Sequence, residues 1–105
     1  ARRRPDFWWN VRTADGAPDT QRIAEVLGRF RAIRARTLAV RFDDDPFATV
    51  AATDRILGLY SGCTAERLLL TRADVGGQRI GHFGFFRSRF RDTLWPRVLD
   101  WVRTP

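Results

Sequence analysis

The feature that most constrains this chain is a pair of short apolar runs held apart by one helix-length segment. Thr37-Leu38-Ala39-Val40-Arg41-Phe42 and Glu66-Arg67-Leu68-Leu69-Leu70-Thr71 have the length and the β-branched, aromatic and leucine content of strands. Between them, Phe47, Val50, Ala51, Leu57 and Tyr60 occupy the apolar positions of a helix that opens at Pro46 and stops at Gly62. A helix interposed between two strands returns the chain to the same end of the sheet. The pattern therefore predicts two parallel strands joined by a right-handed crossover. The second run is almost continuously apolar, which predicts burial on both faces.

The flanks extend this unit. Asp19 or Thr20 can cap a helix running to about residue 35, with Ile23, Val26, Leu27, Phe30 and Ile33 on one stripe. After the second strand comes a glycine-rich loop over residues 74–84, holding Gly76, Gly77, Gly81 and Gly84 around the single histidine, His82. Residues 85–102 have helical period through Phe86, Phe90, Leu94, Val98, Trp101 and Val102, and Pro96 predicts a kink or split near Leu94. Residues 1–18 read as an irregular arm, in which Phe7-Trp8-Trp9 needs a core to cover. The fold class is thus α/β, a helix followed by strand-helix-strand-helix over residues 19–105, and an incomplete domain. Two strands make a poor sheet alone. Homo-oligomerisation, or pairing with a missing N-terminal part of the polypeptide, is expected.

Composition narrows the function classes. Among 105 residues, 44% are hydrophobic and 30% charged, which argues against disorder. No apolar run reaches the roughly 20 residues of a membrane helix, and the start does not resemble a signal peptide. A soluble, cytoplasmic protein without a membrane partner is the expectation. One cysteine, Cys63, cannot form an internal disulfide, and one histidine with one cysteine supports no structural metal site, so neither metal nor cofactor is expected. All 19 basic residues are arginine, giving a net charge of +7. They are scattered, apart from Arg2-Arg3-Arg4, as a composition biased toward arginine would leave them. The alternative is a nucleic-acid-binding module that uses Arg2, Arg3 and Arg4 with a stacking platform of Trp8 and Trp9.

Chemistry concentrates at Asp45 and His82. Each follows a predicted strand, so both fall at strand C-termini, where parallel sheets gather ligands and catalytic groups. Adjacent strands would bring this carboxylate and imidazole within hydrogen-bond reach, the contact by which an acid holds one histidine tautomer and stabilises its cation. The plainer reading makes Asp45 the N-cap of the helix opening at Pro46, with Asp43 and Asp44 favoured by its dipole.

The stretch Leu38-Ala39-Val40-Arg41-Phe42-Asp43-Asp44-Asp45-Pro46-Phe47-Ala48-Thr49 resembles the seventh strand and acid loop of α/β-hydrolases. Arg79-Ile80-Gly81-His82-Phe83-Gly84-Phe85-Phe86-Arg87, with Leu94-Trp95 and Leu99-Asp100-Trp101, resembles the histidine loop and final helix of a bacterial subgroup of that superfamily. Together the matches span about residues 30–103. The resemblance implies the C-terminal end of a serine hydrolase acting on a small ester, amide or thioester substrate. It makes His82 the general base and Asp45 the triad acid, with Asp44 the second choice. The Gly-x-Ser-x-Gly elbow of that superfamily is not found here, because neither Ser61 nor Ser88 has the flanking glycines. Cys63, following a helix end at the opposite rim, is a poor substitute. The 105 residues alone are therefore expected to be inactive, and a non-catalytic oligomerising remnant of a hydrolase is a third reading.

Overall fold

The computed structural model describes residues 11–105. The arginine run 2–4 and the aromatic patch at Phe7, Trp8 and Trp9 lie outside the described residues, and so does the stacking platform built on them. The remainder of the predicted arm is not irregular. Arg12 pairs with Pro18 in an antiparallel bridge, closed by Thr13 N–H to Ala17 O (2.8 Å) and Gly16 N–H to Thr13 O (3.0 Å). Gly16 supplies the left-handed backbone this turn needs, at φ 88°.

Helix α1 spans Thr20–Ala32, and the Asp19 carboxylate accepts the Arg22 N–H at 2.9 Å as its N-cap. Ile23, Val26, Leu27 and Phe30 form its half-buried stripe, as their spacing predicts. It ends three residues before the predicted stop, because Ile33 turns to extended backbone. Strand β1 (Arg36–Phe42) and strand β2 (Thr64–Leu70) pair in parallel, from Arg36 opposite Thr64 to Phe42 opposite Leu70. Helix α2 (Val50–Leu59) connects them.

Helix α2 begins four residues later than the position of Pro46 predicts. The Asp45 side chain first gathers the N–H groups of Phe47 and Ala48 into a turn, and Thr49 then caps the helix through Ala52 N–H. Where α2 gives way to β2, Gly62 lies against the end of α1. A Cβ there would stand 2.4 Å from the Arg31 carbonyl oxygen, so the close approach requires glycine.

The predicted single helical stretch over residues 85–102 is also corrected. Two short 3₁₀ turns, Gly84–Phe86 and Ser88–Phe90, precede helix α3 (Trp95–Arg103). Extended backbone at Arg87 separates the two turns. Pro96 sits in the first turn of α3, where its missing N–H leaves no hydrogen bond unmade. Phe86 leaves the expected apolar side and is 76% exposed.

The core lies at one end of the sheet. Phe42 and Leu70, the last residues of β1 and β2 and register partners, pack with Val75, Ile80, Phe90 and Leu94. The loops that follow both strands are thus seated on the best-packed part of the molecule. The expectation that β2 is buried on both faces does not hold: Leu68 is half-buried against the core, whereas Leu69 on the other face is 48% exposed. Polar contacts tie helix α3 at its start to the turn Gly84–Phe86 and at its end to the strands. Trp95 Nε1 donates to Phe85 O (2.6 Å), Trp101 Nε1 donates to Glu66 Oε2 (2.9 Å), and the Arg36 guanidinium stacks on Trp101 at 3.9 Å. No helix among the described residues is long and apolar enough to cross a membrane.

Candidate active site

Three consecutive aspartates leave β1, and each binds the segment that leaves β2. Asp43 Oδ1 accepts the Arg72 N–H at 3.1 Å. Asp44 accepts two N–H groups, from Ile80 on Oδ2 (2.8 Å) and from Gly81 on Oδ1 (2.9 Å). Asp45 Oδ2 meets His82 Nδ1 at 2.7 Å. The parallel pairing places both loops at the same sheet edge, and the carboxylates then stitch one loop to the other.

The loop bearing His82 reaches this position through left-handed glycines. Gly76 ends the 3₁₀ turn Arg72–Val75 at φ 66°, Gly77 follows at 85°, and Gly81 stands at 70° immediately before His82. Ile80, on the other side of Gly81, is buried in the core. A buried anchor, a glycine turn and an adjacent imidazole fix where His82 must lie.

The Asp45 side chain is 1% exposed, whereas that of His82 is 38% exposed. Burial alone would push the Asp45 carboxyl up. The hydrogen bond from His82, the N–H groups of Phe47 and Ala48 and the His82 charge outweigh it, and hold the carboxyl below its ordinary value. Asp44 is likewise lowered: burial opposes ionisation, and the Gly81 and Ile80 N–H groups with the Arg79 charge favour it more strongly. An ionised Asp45 can only accept, so His82 Nδ1 carries the proton in this contact. When the ring is neutral, Nε2 is then a lone-pair acceptor, and Nε2 makes no hydrogen bond among the described residues. This is the arrangement a general base requires.

Asp45 is not the N-cap of α2, as its plainer reading expects, because Thr49 takes that place; its two oxygens serve a turn before the helix and the histidine. Oδ1 closes the turn and Oδ2 orients the imidazole. Asp44 makes no hydrogen bond to His82 and binds the loop backbone instead. The roles of Asp43 and Asp44 as cross-loop ties were not legible in spacing; the pairing of their acceptors with the N–H groups of a glycine-rich loop appears only once both strands are in register.

Around His82, the rings of Phe47 and Phe83 approach edge-on, with centroids 5.3 Å and 4.6 Å away. An apolar cleft of about 390 Å³ adjoins the pair, lined by Val40, Phe42, Ala48, Phe85, Phe86 and Val98 together with Asp45 and His82. Neither Ser61 nor Ser88 hydrogen-bonds to His82. Cys63 precedes the first residue of β2, at the opposite end of the strands, and its thiol contacts Ile33 O at 3.3 Å. No cluster of three His, Cys, Asp or Glu side chains able to hold a metal is present among the described residues. Comparisons with models of known protein families, with curated proteins and with solved structures find no match to this chain.

Proposed function

We propose that this chain supplies the acid and the base of a serine-hydrolase triad, with Asp45 and His82 in those roles. The observation that carries the reading is the 2.7 Å contact between a buried, ionised carboxylate and the Nδ1 of a partly exposed imidazole at the C-terminal edge of parallel strands. In the proposed reaction His82 Nε2 takes the proton of a serine hydroxyl as that oxygen attacks an ester, amide or thioester carbonyl. Asp45 stabilises the resulting imidazolium without itself taking the proton. His82 then returns the proton to the leaving group, and the cycle repeats with water to release the acyl group. The apolar cleft beside the pair suits an acyl chain. The serine belongs to a Gly-x-Ser-x-Gly elbow on a segment outside these 105 residues, which alone would show no significant esterase activity.

The first test is the coding DNA upstream of the codon for Ala1. An in-frame Gly-x-Ser-x-Gly after a predicted strand supports the reading, and a stop codon followed by a start site just before Ala1 contradicts it. In the encoded polypeptide, replacing His82 by alanine should lower kcat on a p-nitrophenyl ester by at least about 10³-fold. An unchanged kcat would refute the assignment of the base.

A further inference from the structure

A second depression, also of about 390 Å³, shares only His82 with the apolar cleft. Its wall includes three arginines, Arg79, Arg87 and Arg89, together with Gly81 and His82. Elsewhere four arginines pair with acids among the described residues: Arg67 with Asp54 at 2.7 Å, Arg36 with Glu66 at 3.8 Å, Arg91 with Asp92 at 3.7 Å and Arg97 with Asp74 at 3.9 Å. None of the three around His82 has an acid within 4 Å among the described residues, and the Arg87 side chain makes no hydrogen bond to any of them.

The nearby carboxylates are already engaged. Both Asp44 oxygens accept backbone N–H groups, and both Asp45 oxygens are taken by His82 and the turn. One of the three charges is also held in place. Arg89 donates to the Arg79 carbonyl at 2.9 Å and lies over Phe90 at 4.8 Å. The Arg79 guanidinium lies 3.7–3.8 Å from where a Cβ on Gly81 would stand, which places it beside the glycine turn. Planar guanidinium groups bind carboxylate and phosphate through paired N–H donors.

We propose that this depression is an anion subsite, taking a carboxylate or phosphate group carried by the molecule on which His82 acts. That the molecule is a substrate rests on the hydrolase reading; that the depression binds an anion does not. The substrate class is then an ester or thioester that bears a separate negative charge. The apolar cleft and the arginine-lined depression would receive its two ends on either side of the imidazole.

The test is an NMR titration of the 105-residue chain with inorganic phosphate and, separately, acetate at constant ionic strength. It follows the arginine Nε–H signals and the Gly81 amide. Saturable shifts at Arg79, Arg87, Arg89 and Gly81 are expected, weakened about tenfold in Arg87→Gln and unchanged in Arg55→Gln, a control on the exposed face of α2. The tighter of the two probes assigns the anion as phosphoryl or carboxylate. Shifts that stay linear in both anions, or equal affinities for the two variants, would overturn the inference. Saturable binding that persists in His82→Ala, in a chain whose gene encodes no serine elbow, would overturn only the hydrolase reading.

Discussion

Asp43, Asp44 and Asp45 share a sequence context and differ in what each oxygen meets. Asp44 has two N–H donors from one loop, whereas Asp45 has its turn on one oxygen and an imidazole on the other. Because the folded carboxyl of Asp44 lies below its ordinary value, its contribution is complete above the unfolded value, near pH 4. It fades as the pH falls through the lower folded value. Asp44→Asn should therefore destabilise the chain by about 1 to 2 kcal/mol at near-neutral pH, the scale of weakened charge-assisted hydrogen bonds. The gap to the unsubstituted chain should narrow below about pH 4. Thermal unfolding across that range checks both; a gap independent of pH would mean that the carboxylate charge is not what holds the loop. The sequence identified Asp45 and His82 because each follows a strand signal. It did not separate Asp45 from Asp44 by contact, since adjacent residues on a turn diverge in direction only when the backbone is set.

At the scale of elements, the junction between α2 and β2 depends on Gly62. A methyl group would stand 2.4 Å from Arg31 O and 2.9 Å from Ile33 O, both backbone atoms that cannot rotate away. Gly62→Ala should cost about 1 to 3 kcal/mol, measured by denaturant unfolding, because α1 must move off the strand end. A cost below about 0.5 kcal/mol would show that the junction is loose. The two strands were legible because each is a short apolar run and a helix-length segment lies between them. The start of α2 was not, because Pro46 suits both a helix start and the first bend of an Asp45 turn, and side-chain acceptance by Asp45 selects the bend. Residues 85–102 have helical period throughout, yet their first half forms 3₁₀ turns. Periodicity places Phe90 and Leu94 in the core correctly and says nothing of the extended residue at Arg87.

For the whole molecule, the well-packed end carries the candidate site, and several large apolar side chains elsewhere are exposed. Val50, Ile56, Leu69, Leu99 and Val102 are each at least 42% exposed, and β1 and β2 pair only with each other among the described residues. Exposed apolar side chains beside open strand edges favour association. We propose that the isolated chain self-associates, so light scattering coupled to size exclusion should give a mass above 12.1 kDa that rises with concentration. A constant monomer mass would oppose this. The claim on which the functional account depends is narrower: Asp45 holds His82 with the proton on Nδ1 and leaves Nε2 as the base. The most direct measurement is the ¹⁵N spectrum of the His82 ring, taken where the ring is neutral, in the unsubstituted chain and in Asp45→Asn. The account predicts a protonated Nδ1 and an unprotonated Nε2, reversing when the amide of the variant donates to Nδ1. A proton on Nε2 in the unsubstituted chain, or a spectrum unaffected by the substitution, would contradict it.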